Sequence, residues 1–289
     1  MHIVDNAVIM AAGTSSRFAP LSYEMPKALI TVKGEVLIER QIRQLKEAGI
    51  DEIYIVTGYK AEMFSYLEEK FSVKLVHNPD FLTRNNNASI YAVKDILKNS
   101  YICSADNYFS ENPFEKEVSD CYYSALYADG ATKEWCMEYD ESDIIRDVKI
   151  GGENAWYMLG HVFWCEEFTK KFLEILLDDY DKPETADLLW ESIYINNIDS
   201  LEMKIRKYKD GVIFEFDTLD ELREFDESYV NDTRSNIIKS ICSSLGCNES
   251  DIKSVLSYKD GTNAAGGFTF VCKDKKYKYS YSEKILLEE

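Results

Sequence analysis

An α/β fold, Rossmann-like, with a mixed and mostly parallel sheet flanked by helices and a small α+β appendage, is the class this sequence predicts. Three observations predict it. The apolar run Ala7-Val8-Ile9-Met10 reads as a buried first strand. Strand-like and helical stretches then alternate through the first half of the chain. Directly after the first strand comes a run of small residues, Ala11-Ala12-Gly13-Thr14-Ser15-Ser16, ending in Arg17. Its place is the carboxyl end of a strand, where open α/β sheets bind ligands.

The elements follow in order. Leu37, Ile38, Ile42, Leu45 and Ala48 recur at helical spacing and stop at Gly49, and Ile53-Tyr54-Ile55-Val56 then reads as a strand. A helix is expected over 61–70, a strand over 74–76, a turn at Asn78-Pro79, a helix over 89–97 and a strand over 101–105 that delivers Asp106. Right-handed crossovers would lay these strands parallel. From about 122 to 164 the pattern turns strand-rich, with candidates at 123–127, 144–148 and 158–164. Helices over 166–177 and 185–194 and strands over 203–208 and 212–216 complete a main domain of residues 1–230. The appendage, 231–289, reads as one amphipathic helix, 237–245, and a hairpin around Gly266-Gly267 and Lys273-Asp274.

Composition limits the partners. With 289 residues, 45% of them apolar, the chain can bury one substantial core. A formal net charge of −19 argues against nucleic acid and against anionic membrane surfaces, both of which need a basic face. The seven cysteines show no C-x-x-C spacing, so neither a zinc site nor a disulfide framework is signalled, and most are expected to be buried thiols. With no signal peptide at its start and no apolar run near ~20 residues, the chain is expected to be cytoplasmic.

A glycine among small residues lets backbone N–H groups approach phosphate oxygens, and Arg17 and Lys27 supply the cations that a polyphosphate needs. The bland reading makes the loop a turn and the two basic residues solvated surface charges. The pattern is neither a Walker loop nor a dinucleotide fingerprint. Asp106 and Asp217, each at a predicted strand end, suit Mg²⁺, which keeps several waters and also takes phosphate oxygens. Either aspartate could instead cap a following helix. Asn85-Asn86-Asn87-Ala88-Ser89 offers amides and a hydroxyl to a nucleobase edge, or forms a loop and a helix cap.

With Pro26-Lys27-Ala28-Leu29 following Arg17 after eight residues, the chain resembles nucleotidyltransferases that carry Ala-Ala-Gly-x-Gly-x-Arg and Pro-Lys-Ala/Pro-Leu near the amino terminus. Ser15 stands where many of them have the second glycine. The run Asn-Asn-x-x-Ser-x-Tyr, Ala-Asp-Asn-Tyr at 105–108, Glu134-Trp135 and Glu-x-Asp at 215–217 resemble the CTP:phosphocholine cytidylyltransferases over residues 5–228. That resemblance implies that Ala11, Ala12, Gly13, Thr14, Ser15, Asn85, Asn86, Ser89 and Ala105 bind CTP. It further implies that Arg17 and Lys27 are catalytic, that Asp106 and Asp217 hold Mg²⁺, and that Trp135, Asp187, Trp190 and Glu215 hold phosphocholine. A quaternary ammonium donates no hydrogen bond and is best held by aromatic faces backed by carboxylates. Leu189 replaces a tyrosine that the family often carries beside the tryptophan; Trp156 and Trp164 are expected to be core or lid packing, and none of the three histidines is needed as a nucleophile.

Asp260-Gly261-Thr262-Asn263 with Phe268-Thr269-Phe270 and Lys275-Lys276-Tyr277 resembles the opening of bacterial choline kinases, which implies a vestigial kinase piece without kinase activity. Three other readings stay open: a sugar-1-phosphate nucleotidyltransferase, a catalytically silent nucleotide-binding module, and a tail that makes the chain a homodimer.

Overall fold

The computed structural model describes residues 1–261 and 265–289. The chain forms two compact units, Met1–Gly13 with Ile38–Glu215 and Thr14–Leu37 with Phe216–Glu289, so residue 230 falls inside the second of them.

The first unit is built on seven strands, β1 (Asn6–Ala11), β2 (Ile53–Thr57), β3 (Lys74–His77), β4 (Ser100–Ser104), β5 (Tyr122–Tyr139), β6 (Ile145–Trp164) and β7 (Lys204–Lys207). Their order across the sheet is β7-β5-β6-β4-β1-β2-β3. β1 runs parallel to β2 and β4, β2 to β3 and β5 to β7, whereas β6 is antiparallel to β4 and β5. This is the expected mixed, mostly parallel sheet. β1 and β2 are apolar along almost their whole length because helices cover both faces. Helix α1 (Leu37–Glu47) buries Leu37, Ile38, Ile42 and Leu45. It ends at Gly49, whose φ of +80° permits the closing bonds Gly49 N–H to Lys46 O and Ile50 N–H to Leu45 O.

Two expectations are corrected. The three separate strands expected between 122 and 164 are two long antiparallel partners, β5 and β6, whose ladder absorbs several bulges and so runs through the polar stretch around Gly130. The helix expected over 185–194 is a single 3₁₀ turn at Pro183–Thr185 and a helix at Trp190–Asn196. Trp164 is core, as expected, packed on Phe168 and Phe172.

The second unit contains a four-stranded antiparallel sheet over Ile252–Lys259, Ala265–Cys272, Lys275–Ser280 and Leu286–Glu288. The turn at Lys273-Asp274, both with positive φ, closes the expected hairpin. Thr262 and Asn263 of the kinase-like segment lie outside the described residues. Helix Asn236–Leu245 starts at Ser235, whose Oγ accepts from the Ile238 N–H at 3.1 Å. The early segment joins this tail: Tyr23 stacks on Tyr281 with ring centroids 3.8 Å apart, and Glu24 Oε1 accepts from the Asn236 N–H at 2.8 Å. Among the described residues, no helix is long and apolar enough to cross a membrane.

His161 is fully buried between Tyr122 and Ser124, and burial, then the charge of Arg206, push its pKa down from 6.5 to about 3. It is therefore neutral in the fold and would charge only on unfolding. Its contribution to stability is complete above pH 6.5 and is lost as the pH falls from there towards 3. Relative to His161→Gln, the wild-type chain should lose stability in urea unfolding as the pH falls below 6.5, the difference growing by up to ~1.4 kcal/mol per pH unit. Identical slopes in the two proteins would refute this.

Candidate functional site

The parallel register of β1 and β4 sets Met10 opposite Ser104, and the Ala105 N–H donates to Met10 O at 3.2 Å. Ala12-Gly13 and Ala105-Asp106 therefore leave the sheet side by side. Ala12 O accepts from the Tyr59 N–H at 3.0 Å, and Gly58 permits the approach, since a Cβ there would lie 2.9 Å from that same oxygen. Gly13 is exposed, with open space around it.

The loop carrying Asp106 is held by α1. Gln41, fully buried, donates through Nε2 to Ser104 O and Asn107 O, both at 2.8 Å, and Arg40 and Gln44 reach Phe109 O at 2.8 and 3.1 Å. Tyr108-Phe109 pairs with Ile213-Phe214, which carries Glu215 to this loop, where Asn107 Nδ2 donates to Glu215 Oε2 at 3.4 Å.

In the second unit Arg17, Lys27 and Asp217 come together. Arg17 Nη1 lies 2.6 Å from Asp217 Oδ2, and Lys27 Nζ lies 3.8 Å from Asp217 Oδ1. Arg17 is 75% exposed and its ion pair is worth only ~0–1 kcal/mol, so an anionic ligand can exchange with it cheaply. Lys27 is 4% exposed and lies under the ring of Phe18. Asp217 does not cap the helix that follows it. Thr218 does, in a capping box with Glu221, and the Asp217 carboxylate is left to the two cations. Ser15 adopts φ +47°, the left-handed region that glycine favours.

The asparagine run is spent on a clasp. Asn85 Nδ2 donates to Asp187 O at 3.1 Å, and Asn86 joins Glu191 Oε2 at 3.0 Å and the Trp190 N–H at 2.7 Å. Asn87 Nδ2 donates to Thr185 O at 2.9 Å and also to Leu188 O. Ser89 Oγ accepts from Asn78 at 3.3 Å. Asp187 is exposed. Trp190 is 2% exposed, stacked on Tyr123 and edge-on to Trp164. Trp135 is half-buried on β5, opposite Ile150, and packs against the core.

Acidic groups surround the aromatic residues here. Burial raises the Tyr123 pKa, and the charges of Glu191 and Glu215 add to it. Tyr157 is raised by burial and then by Glu134, Asp210 and Glu215. Burial pushes Glu191 up to about 7, although Asn86 and Tyr123 favour its ionised form. Sequence reasoning missed Gln41, Tyr123, Tyr157 and Glu191. For Glu191 the signal was a carboxylate directly after Trp190; for the buried glutamine and the tyrosines, inside ordinary amphipathic patterns, there was none.

Residues 7–109 match the model of the MobA-like NTP transferase domain. The choline-phosphate cytidylyltransferase of Streptococcus pneumoniae is 34% identical over 226 residues, 78% of this chain and 99% of that protein. The chain belongs to the cytidylyltransferase family of nucleotidyltransferases. Another member, the 2-aminoethylphosphonate cytidylyltransferase of Lancefieldella rimae, is 37% identical over 80% of this chain and 95% of its own length. The solved structure of the CTP:phosphocholine cytidylyltransferase from S. pneumoniae superposes with a TM-score of 0.75, covering 78% of this chain and 99% of that one. A glucose-1-phosphate thymidylyltransferase structure from Bacillus anthracis, 16% identical at a TM-score of 0.63, shares the fold.

Two substitutions probe this cytidylyltransferase framework. Gln41→Leu removes the amide that Ser104 O and Asn107 O share and should cost ~1–3 kcal/mol in urea unfolding; an unchanged midpoint would rule out this support. Ser15→Gly relieves the left-handed backbone and should stabilise the chain by about 1 kcal/mol, read as a higher melting temperature. A lower one would show that the serine side chain contributes more than the strain costs.

Proposed function

We propose that the protein transfers the cytidylyl group of CTP to phosphocholine, giving CDP-choline and pyrophosphate. The observation that carries this reading is the 34% identity to a choline-phosphate cytidylyltransferase along 99% of that relative's length. Support also comes from the presence of every charged residue of the quoted motifs.

In this reading the backbone of Ala11, Ala12, Gly13, Thr14 and Ser15 receives the triphosphate, with Ala105 beside the nucleoside. Asn85, Asn86 and Ser89 shape the base side, the two amides through the segment they clasp. Phosphocholine near neutral pH is already mostly dianionic, its second pKa being about 6, so its oxygen needs no strong base to attack the α-phosphorus of CTP in line. Arg17 gives up Asp217 to the β- and γ-phosphates, and Lys27 neutralises charge spreading from the α-phosphate as the P–O bond to pyrophosphate breaks. Asp106 and Asp217 each offer an oxygen donor of the kind Mg²⁺ takes alongside water and phosphate. When bound, Mg²⁺ would supply charge neutralisation to the leaving pyrophosphate.

Trp135 and Tyr157 offer aromatic faces to the trimethylammonium group, with Glu215 and Asp187 as counter-charge. Trp190, closed within the core, backs Tyr123 instead of touching the ligand. A second reading has one specific support, the 37% identity to a 2-aminoethylphosphonate cytidylyltransferase. A primary ammonium would use the same carboxylates as hydrogen-bond acceptors, and Leu189 removes one aromatic wall. The antiparallel strands over 252–288 are compatible with the vestigial kinase reading of the tail.

Pyrophosphate release should be fastest with CTP and phosphocholine, about tenfold or more slower with 2-aminoethylphosphonate, and undetectable with glucose 1-phosphate and UTP. Preference for the phosphonate would select the second reading, and activity only with the sugar phosphate would defeat both. Lys27→Met should lower turnover by about 10²–10³-fold. Undiminished turnover would remove Lys27 from the mechanism.

A further inference from the structure

We propose that Cys121 and Cys165 are a redox-active dithiol that closes to an intramolecular disulfide when a peroxide reaches it. Cys121 immediately precedes β5 and Cys165 immediately follows β6, and the pairing of Tyr122 with Phe163 brings the two thiols to one end of the ladder. Their Sγ atoms are 2.6 Å apart, and the Cys165 N–H donates to Cys121 Sγ at 3.2 Å. Both residues are part-exposed and line a cavity of about 650 Å³ with Glu167, Lys171, Ser200 and Glu202, which is ample room for a small peroxide. Cys103, by contrast, is sealed within β4.

The two thiols are not equivalent. Cys165 is the N-cap of the 14-residue helix Glu166–Asp179, where N–H groups and the helix dipole favour an anion. The hydrogen bond from Cys121 and, after it, the backbone N–H of Phe168, the nearby His2 and the backbone N–H of Glu167 lower the Cys165 thiol to about 6, against the opposing effect of burial. Cys121 moves the other way, upward, because it keeps the shared proton. Cys165 is thus the nucleophile and Cys121 the resolving partner.

The chemistry balances. The Cys165 thiolate attacks one peroxide oxygen, the S–O bond forms as the O–O bond breaks, and the departing oxygen takes a proton and leaves as water or alcohol. Cys121 then attacks the sulfenic sulfur, the S–S bond forms, and the sulfenic oxygen leaves as water with the Cys121 proton. Two thiols are oxidised by two electrons and one peroxide is reduced. A dithiol reductant reverses the result.

Treating the full chain with hydrogen peroxide and mapping peptides without reduction should give one cross-linked pair holding Cys121 and Cys165, lighter by two hydrogens and cleaved by dithiothreitol. In Cys121→Ser the sulfenic acid at Cys165 should persist and be trapped by dimedone, whereas Cys165→Ser should give no adduct at Cys121. Iodoacetamide at pH 7 should alkylate Cys165 about tenfold faster than Cys247, the other part-exposed thiol. Absence of the cross-link, or a Cys165 no faster than Cys247, would overturn the proposal. Neither readout depends on which acceptor the enzyme uses.

Discussion

The ladder between β1 and β4 is the constraint on which the first unit's candidate site depends. Parallel pairing in one register makes two chain segments, one ending in Ala12-Gly13 and the other in Ala105-Asp106, leave the sheet at the same level. A slip of one residue would turn every side chain of β1 to the opposite face. The supports are specific to that register. Gln41 spends its amide on the two carbonyls flanking the 105–106 turn, and Gly58 admits Ala12 O where no side chain fits.

The second unit resolves a different conflict. A lysine held at 4% exposure has lost most of its hydration, and Asp217, 3.8 Å away and shared with Arg17, is one of the groups that offset that cost. The neighbouring contact is weaker, since the solvent-exposed arginine can leave the aspartate with little penalty.

The parallel core was legible because β1 and β2 are buried on both faces and read as unbroken apolar runs, and α1 because its apolar positions stop at a glycine that closes the helix. The long β5–β6 pair was read in pieces. Asp129-Gly130 and Lys133-Glu134 look like loop, and only the partner strand across the bulges keeps them in the ladder. Residues 185–194 carry a helical pattern, but the carbonyls of Thr185, Ala186, Asp187 and Leu188, which a continuous helix would use internally, are taken by the asparagines at 85–87. Tertiary hydrogen bonds from a hundred residues away override the local preference, and no local window contains that information. The charged motif residues were legible for the opposite reason. Arg17, Lys27 and Asp217 have no role in the apolar periodicity, and the structure does gather them.

The stacking of Tyr23 on Tyr281 and the bond from Asn236 to Glu24 bear on how this chain tolerates trimming. The cation-bearing segment 14–37 is inserted early in the sequence, yet its packing partners are synthesised last. During translation Tyr23 and Glu24 must therefore wait for the tail before these contacts can form. A protein shortened to the length of its relatives would keep every motif residue and still lack the tyrosine and the helix terminus that brace Tyr23 and Glu24.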